Sequence, residues 1–113
     1  MTPFVVVQDN LRDKLVDSRV LDGWVDEPRT WVRDRVGTVQ TVQGREADIV
    51  FFVLSAQSPS QQGARAWAGG RPNLANVGVT RAKTSLFVIG NRAAWKSAGF
   101  FAALHRYLPQ RNL

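Results

Sequence analysis

Apolar and polar positions along the chain change their period several times, and each change marks an element. Between Phe4 and Ser18, Val7, Leu11, Leu15 and Ser18 fall on one face while Asp9, Arg12, Asp13 and Lys14 fall elsewhere, which predicts an amphipathic helix. Arg19 to Arg35 mixes charges with Trp24, Trp31 and Pro28, and reads as an irregular connection with a short helix opened by Pro28. Val36 to Val39 can start a strand. Val42 to Asp48 reads as a polar loop feeding the run Ile49 to Leu54, which is apolar on both alternating sets. A parallel strand covered on both faces by helices has that pattern.

The second half is punctuated differently. Ser55 to Pro72 is rich in Ser, Gln, Gly and Pro and predicts a long surface excursion, with Ala64 to Ala68 as its helical piece. Asn73 can then cap a helix that carries Leu74, Val77 and Arg81 on one face and ends near Thr84. Leu86 to Ile89 is a second fully apolar strand closed by Gly90, and helices over Ala93–Ser97 and Phe100–Leu108 complete the chain. Strands alternating with helices predict an α/β domain with a mainly parallel sheet. With 113 residues and 44% apolar composition, residues 1–113 form a single domain without internal repeats.

Charge and composition narrow the function. Fifteen basic residues, 12 of them Arg, against nine acidic ones give a net charge of +6. Guanidinium forks suit phosphate-bearing partners, so nucleic acid and nucleotide lead. The absence of cysteine and a lone His105 exclude a disulfide scaffold, a thiolate nucleophile and a structural zinc site, leaving only carboxylate metal sites open. The longest apolar run is six residues, Ile49 to Leu54, where a membrane span needs about 20. No signal pattern opens the chain, so a cytoplasmic location without membrane attachment is expected.

Two stretches carry the candidate chemistry: GTVQTVQGREADIVFF at 37–52 and NLANVGVTRAKTSLFVIGN at 73–91. They resemble motifs V and VI of superfamily 1 ATP-dependent helicases, in the branch that includes the nonsense-mediated-decay RNA helicase and related bacterial DNA helicases. Thr2, Pro3, Phe4 and Gln8 match the TPF-and-helix pattern that precedes motif V there, so the resemblance runs nearly end to end. It implies the second, C-terminal RecA-like domain, with a three-layer α/β/α fold. By the same resemblance Arg81 is an arginine finger, the class of residue that stabilises charge on a transferring γ-phosphoryl group. Gly44 and Glu46 approach the nucleotide, Gln43 and Arg45 organise their loop, and Thr2, Pro3, Thr38 and Thr41 line a groove for single-stranded nucleic acid, DNA in preference to RNA.

Other readings of these residues stay open beside that one. Arg81 is otherwise an ordinary helix-surface arginine, Glu46 a cap for the following turn, and Thr38 a plain strand residue. Trp67, between Arg65 and Arg71, can stack on a base, although a loop tryptophan more often packs on its own domain. Asp48 reads as structural, Lys83 faces away from Arg81, and His105 belongs to the solvated surface.

The chain departs from the family pattern in three places. A phosphate-cradling P-loop needs Gly before Lys, and Lys14, Lys83 and Lys96 follow Asp13, Ala82 and Trp95. ATP and Mg²⁺ are therefore expected only with a first RecA-like domain, in cis or in trans, and not on this chain alone. Met1 stands where the family's first strand should be ending, so the sheet is expected to lack that strand and to expose an edge that invites self-association. Gly78 replaces a usual alanine, at an expected cost of about 1 kcal/mol in a helix interior. The competing reading is a stand-alone, non-catalytic module that binds nucleic acid or a protein.

Overall fold

A computed structural model describes residues 1–41 and 45–109. The first helix, α1 (Val5–Asp17), follows the expected boundaries, and α2 (Pro28–Arg35) starts at its proline. The two are tied together by Arg12, whose guanidinium donates to the Val36 carbonyl (2.6 and 2.9 Å) and to that of Arg33 (3.1 Å), capping the C-terminal end of α2. Within α1 the buried residue is Gln8, while Val7, Leu11 and Leu15 are half-buried.

The sheet is small. Strands β1 (Ala47–Val53) and β2 (Ala82–Ile89) pair in parallel, with Val50 opposite Leu86 and Phe52 opposite Val88. Between them lie a 3₁₀ turn (Pro59–Gln61) and two helices, α3 (Gln62–Gly69) and α4 (Pro72–Thr80). Two short helices, α5 (Arg92–Trp95) and α6 (Phe101–Tyr107), follow β2. This is a mixed α/β chain with a parallel sheet, a partial RecA-like fold. No helix among the described residues is long and apolar enough to cross a membrane.

The core sits on one face of the sheet. Phe52 and Leu54 point into it and meet Ala68, Leu74, Trp95 and Phe101, with Val39 and Ala56 completing the cluster. Phe52 stacks on Phe101 with centroids 6.0 Å apart, and Trp95 meets Phe101 edge-on at 4.8 Å. Gly78 lets α4 approach this face closely, because a Cβ there would lie 2.9 Å from the Phe52 ring. The absence of a side chain at 78 is thus a packing requirement and not merely a propensity cost.

Four local expectations are corrected. The strand expected to be covered on both faces has one covered face, since Ile49, Phe51, Phe87 and Ile89 are all exposed on the other. Val36–Val39 does not extend into a strand; it makes a single parallel bridge, Thr2 to Thr38, before the chain turns. The helix carrying motif VI ends at Thr80, so Lys83 lies on β2, and the helix begins at Pro72 with Arg71 as its N-cap, placing Asn73 inside the first turn.

The fourth correction concerns Ser55–Pro72, which is not only a surface excursion. Arg65 on α3 is 9% exposed and donates from one Nη1 to the carbonyls of Ala56 (2.6 Å) and Ser58 (2.8 Å). Those bonds tie the segment to α3, whose Ala68 and Gly69 are both buried. Gly69 in turn touches Gly99, whose φ of +54° suits a residue without Cβ, and the Gly69 carbonyl accepts from Phe100 N–H at 2.9 Å.

Candidate nucleotide and nucleic-acid site

The candidate residues separate into two groups set at opposite ends of the sheet. Glu46 immediately precedes β1 and Arg81 immediately precedes β2, and the Ala47 N–H donates to the Arg81 carbonyl at 3.0 Å. Two adjacent parallel strands therefore deliver both residues to the same end, because the register sets Ala47 against Ala82. Glu46 is exposed and Arg81 half-buried.

Arg81 stands at the C-cap of α4. Its Nη2 donates to the neighbouring Thr80 hydroxyl at 3.3 Å, and it forms no ion pair among the described residues. Its Nε is buried without a hydrogen-bond partner among the described residues. An arginine held by no carboxylate, with an unspent buried donor, retains its capacity to bind an oxyanion, since leaving such a donor unsatisfied is costly. Arg45 is committed elsewhere, donating to the Asp34 carbonyl at 2.9 Å and fastening the start of β1 to the end of α2. Gln43 and Gly44 lie outside the described residues.

The second group converges where Met1–Pro3 passes Thr38. The Thr2 N–H donates to the Gly37 carbonyl (3.1 Å) and the Val39 N–H to the Thr2 carbonyl (3.0 Å). Gln8 fixes this segment from α1, its Oε1 accepting from Thr38 N–H at 3.1 Å. Thr38 Oγ1 accepts from the Thr41 N–H (3.3 Å), while the Thr41 hydroxyl donates to the Thr38 carbonyl (3.0 Å), closing a tight turn. Thr2, Pro3 and Thr38 are buried, and Thr41 is exposed. Thr2 and Thr38 thus hold the turn in shape, and Thr41 is the member of the set that reaches solvent.

Trp67 packs on its own domain, 6.3 Å from the Phe4 ring, with the Arg71 guanidinium 4.7 Å from the centroid of its own ring. His105 is half-buried rather than solvated. Sequence reasoning missed Arg65, whose type and loop setting mimic a surface residue. It gave Gln8 only as a motif match, although a buried amide on an otherwise apolar helix face signals a backbone it must satisfy.

The model of a family described as an AAA domain matches residues 2–93, most of the chain. The probable helicase MAGATAMA 3 of Arabidopsis thaliana is 35% identical over 77 residues, covering 68% of this chain and 9% of that protein. The chain thus spans a small part of that relative's length. No solved structure matches. The family model that matches residues 2–93 places this chain in the AAA-domain family, and a probable helicase is among the proteins it resembles.

Proposed function

We propose that this domain is the C-terminal RecA-like motor domain of an ATP-dependent superfamily 1 helicase of the branch named above, with Arg81 as its arginine finger. The observation that carries the reading is that the register brings Arg81 and Glu46 to the same end of β1 and β2, with the Arg81 guanidinium free of any carboxylate among the described residues. ATP supplies the transferring phosphoryl group, and its P-loop and Mg²⁺ ligands come from a first RecA-like domain. Arg81 stabilises the charge that develops on the γ-phosphoryl oxygens. Glu46 accepts from ribose hydroxyls, Gly44 gives close backbone approach, and Gln43 and Arg45 hold the loop.

Single-stranded nucleic acid, DNA in preference to RNA, lies across the turn at the other end of the sheet. Thr41 meets a phosphate there, on a backbone shaped by Thr2, Pro3 and Thr38. Six residue steps of β1 separate its two ends, about 20 Å at strand rise, so one rigid domain touches nucleotide and strand at once. Closure onto the first domain then moves both contacts together.

The test mixes the chain with a separately produced first RecA-like domain bearing a P-loop. ATPase activity stimulated by single-stranded DNA appears in the mixture, and Arg81→Ala lowers it by roughly 10³-fold or more with the fold unchanged by circular dichroism. Salt-dependent DNA binding without any such activity refutes the motor reading and leaves a binding module.

A further inference from the structure

Two tryptophans lie equally close to the Phe4 ring and are used differently. The centroids of Trp67 and Trp95 each stand 6.3 Å from it. Trp95 is 3% exposed, its indole N–H donates to the Ser55 carbonyl at 2.7 Å, and its ring meets Phe101 in the core. Trp67 is 41% exposed. It follows the buried Arg65 by two residues on α3, about 200° around the helix, so it stands on the outer side of an element whose inner side is already packed. Phe4 also links Trp67 to the turn described above, because its N–H donates to the Thr2 hydroxyl at 3.4 Å.

The surroundings of Trp67 are cationic. Arg71 is exposed, holds its guanidinium 4.7 Å from the Trp67 ring centroid and forms no ion pair among the described residues. Held by a ring rather than by a carboxylate, it keeps its N–H donors for a phosphate. The bias extends along the chain: residues 49–113 carry eight basic residues and no acidic one, whereas residues 1–48 carry seven basic and nine acidic. A polyanion is drawn to the first part and not to the second. An exposed indole beside an unpaired arginine, in an acid-free stretch, is the chemistry of single-strand sites, where aromatic rings stack on bases and cations follow the backbone. Bases within a duplex are stacked on their neighbours and offer no such face.

We propose that Trp67 is a base-stacking residue for single-stranded nucleic acid, with Arg71 as its phosphate-binding neighbour. An unpaired base lies on the exposed indole, and the Arg71 guanidinium leaves the ring for the adjoining phosphate. An exposed cation–π contact is weak, so the base displaces it at little cost. Phe4 supports the indole, and the bonds of Arg65 to the Ala56 and Ser58 carbonyls hold α3 in place before the strand arrives. The inference rests on the strand-binding part of the reading above, not on its ATPase part, and extends the path from the Thr41 turn past Phe4 to α3. Every base has a stacking face, so the contact adds affinity without sequence preference.

The test compares equilibrium binding of the unaltered chain and its variants to two oligomers of about 12 nucleotides, oligothymidylate and an abasic deoxyribose-phosphate chain of the same charge. Trp67→Ala is expected to weaken oligothymidylate binding by about tenfold and to leave the abasic chain unaffected, while Trp67→Phe stays within about threefold of the unaltered chain. Arg71→Gln is expected to weaken both oligomers alike and to lower the salt slope by about one. Circular dichroism and the Trp67→Phe variant separate loss of a stacking ring from loss of fold. Unchanged oligothymidylate binding by Trp67→Ala, or an equal loss on both oligomers, overturns the proposal; if Thr41→Ala weakens binding in the same assay, the strand reading survives it. Equal competition by polyglutamate of matched charge overturns it in favour of an acidic polypeptide. No binding of either oligomer by the unaltered chain overturns this inference and the strand reading together.

Discussion

Phe51 and Phe52 are chain neighbours of the same residue type, yet one is 52% exposed and the other 1%. The period of a strand sends them to opposite faces of the β1–β2 sheet. On the Phe52 face, α4, α5 and α6 supply Gly78, Trp95 and Phe101. On the Phe51 face, Ile49, Phe87 and Ile89 stay exposed. Both faces are equally apolar in composition, so burial here is decided by which helices the chain can bring over the sheet, not by the strand's own residues.

Substitutions can break that contrast. Phe52→Ala should lower stability by about 3–5 kcal/mol, read as a shift in denaturant midpoint, because it removes a buried ring and leaves a cavity against Phe101. Arg65→Ala comes next, with a loss of about 2–3 kcal/mol, since it strands the buried Ala56 carbonyl and the part-buried Ser58 carbonyl and releases the 55–58 segment. Gly78→Ala should cost about 1–3 kcal/mol, the clash with the Phe52 ring outweighing the helix gain. Gly63, also in a helix but with open space where a methyl would stand, sharpens the point: Gly63→Ala should stabilise by about 0.4–1 kcal/mol. Phe51→Thr should stay within about 0.5 kcal/mol while reducing self-association on a sizing column; a loss as large as that of Phe52→Ala would show that the open face is covered in solution.

A pH measurement probes the start of the chain. The Met1 α-amino group has its pKa lowered by burial, so between that lowered value and 8.0 the unfolded chain binds more protons than the folded one. Stability should therefore rise with pH through that window, and acetylation of the amino group should flatten the slope.

How far the sequence could be read is clear element by element. Helix α1, the proline start of α2, the two apolar strands and the final helix are legible because each is a local period bounded by its own turn residues. Strand Val36–Val39 fails because a strand exists only through its partner, and Met1–Thr2 offers a single rung. Glu46 and Arg81 could be named as motif residues, but 35 positions of chain separate them; their adjacency came from the parallel register. Thr2 and Thr38 could be named too, whereas the bond that satisfies the buried Thr38 N–H depended on Gln8 reaching over from α1.

By itself the sequence determined periodicity, charge and the ordered motifs, all of which depend on residues close together in the chain. Only the tertiary structure decided which apolar face was covered, why residue 78 has no side chain and how Arg65 is spent. Those depend on contacts between residues far apart in sequence, where close packing and backbone hydrogen bonding, not local propensity, select among alternatives.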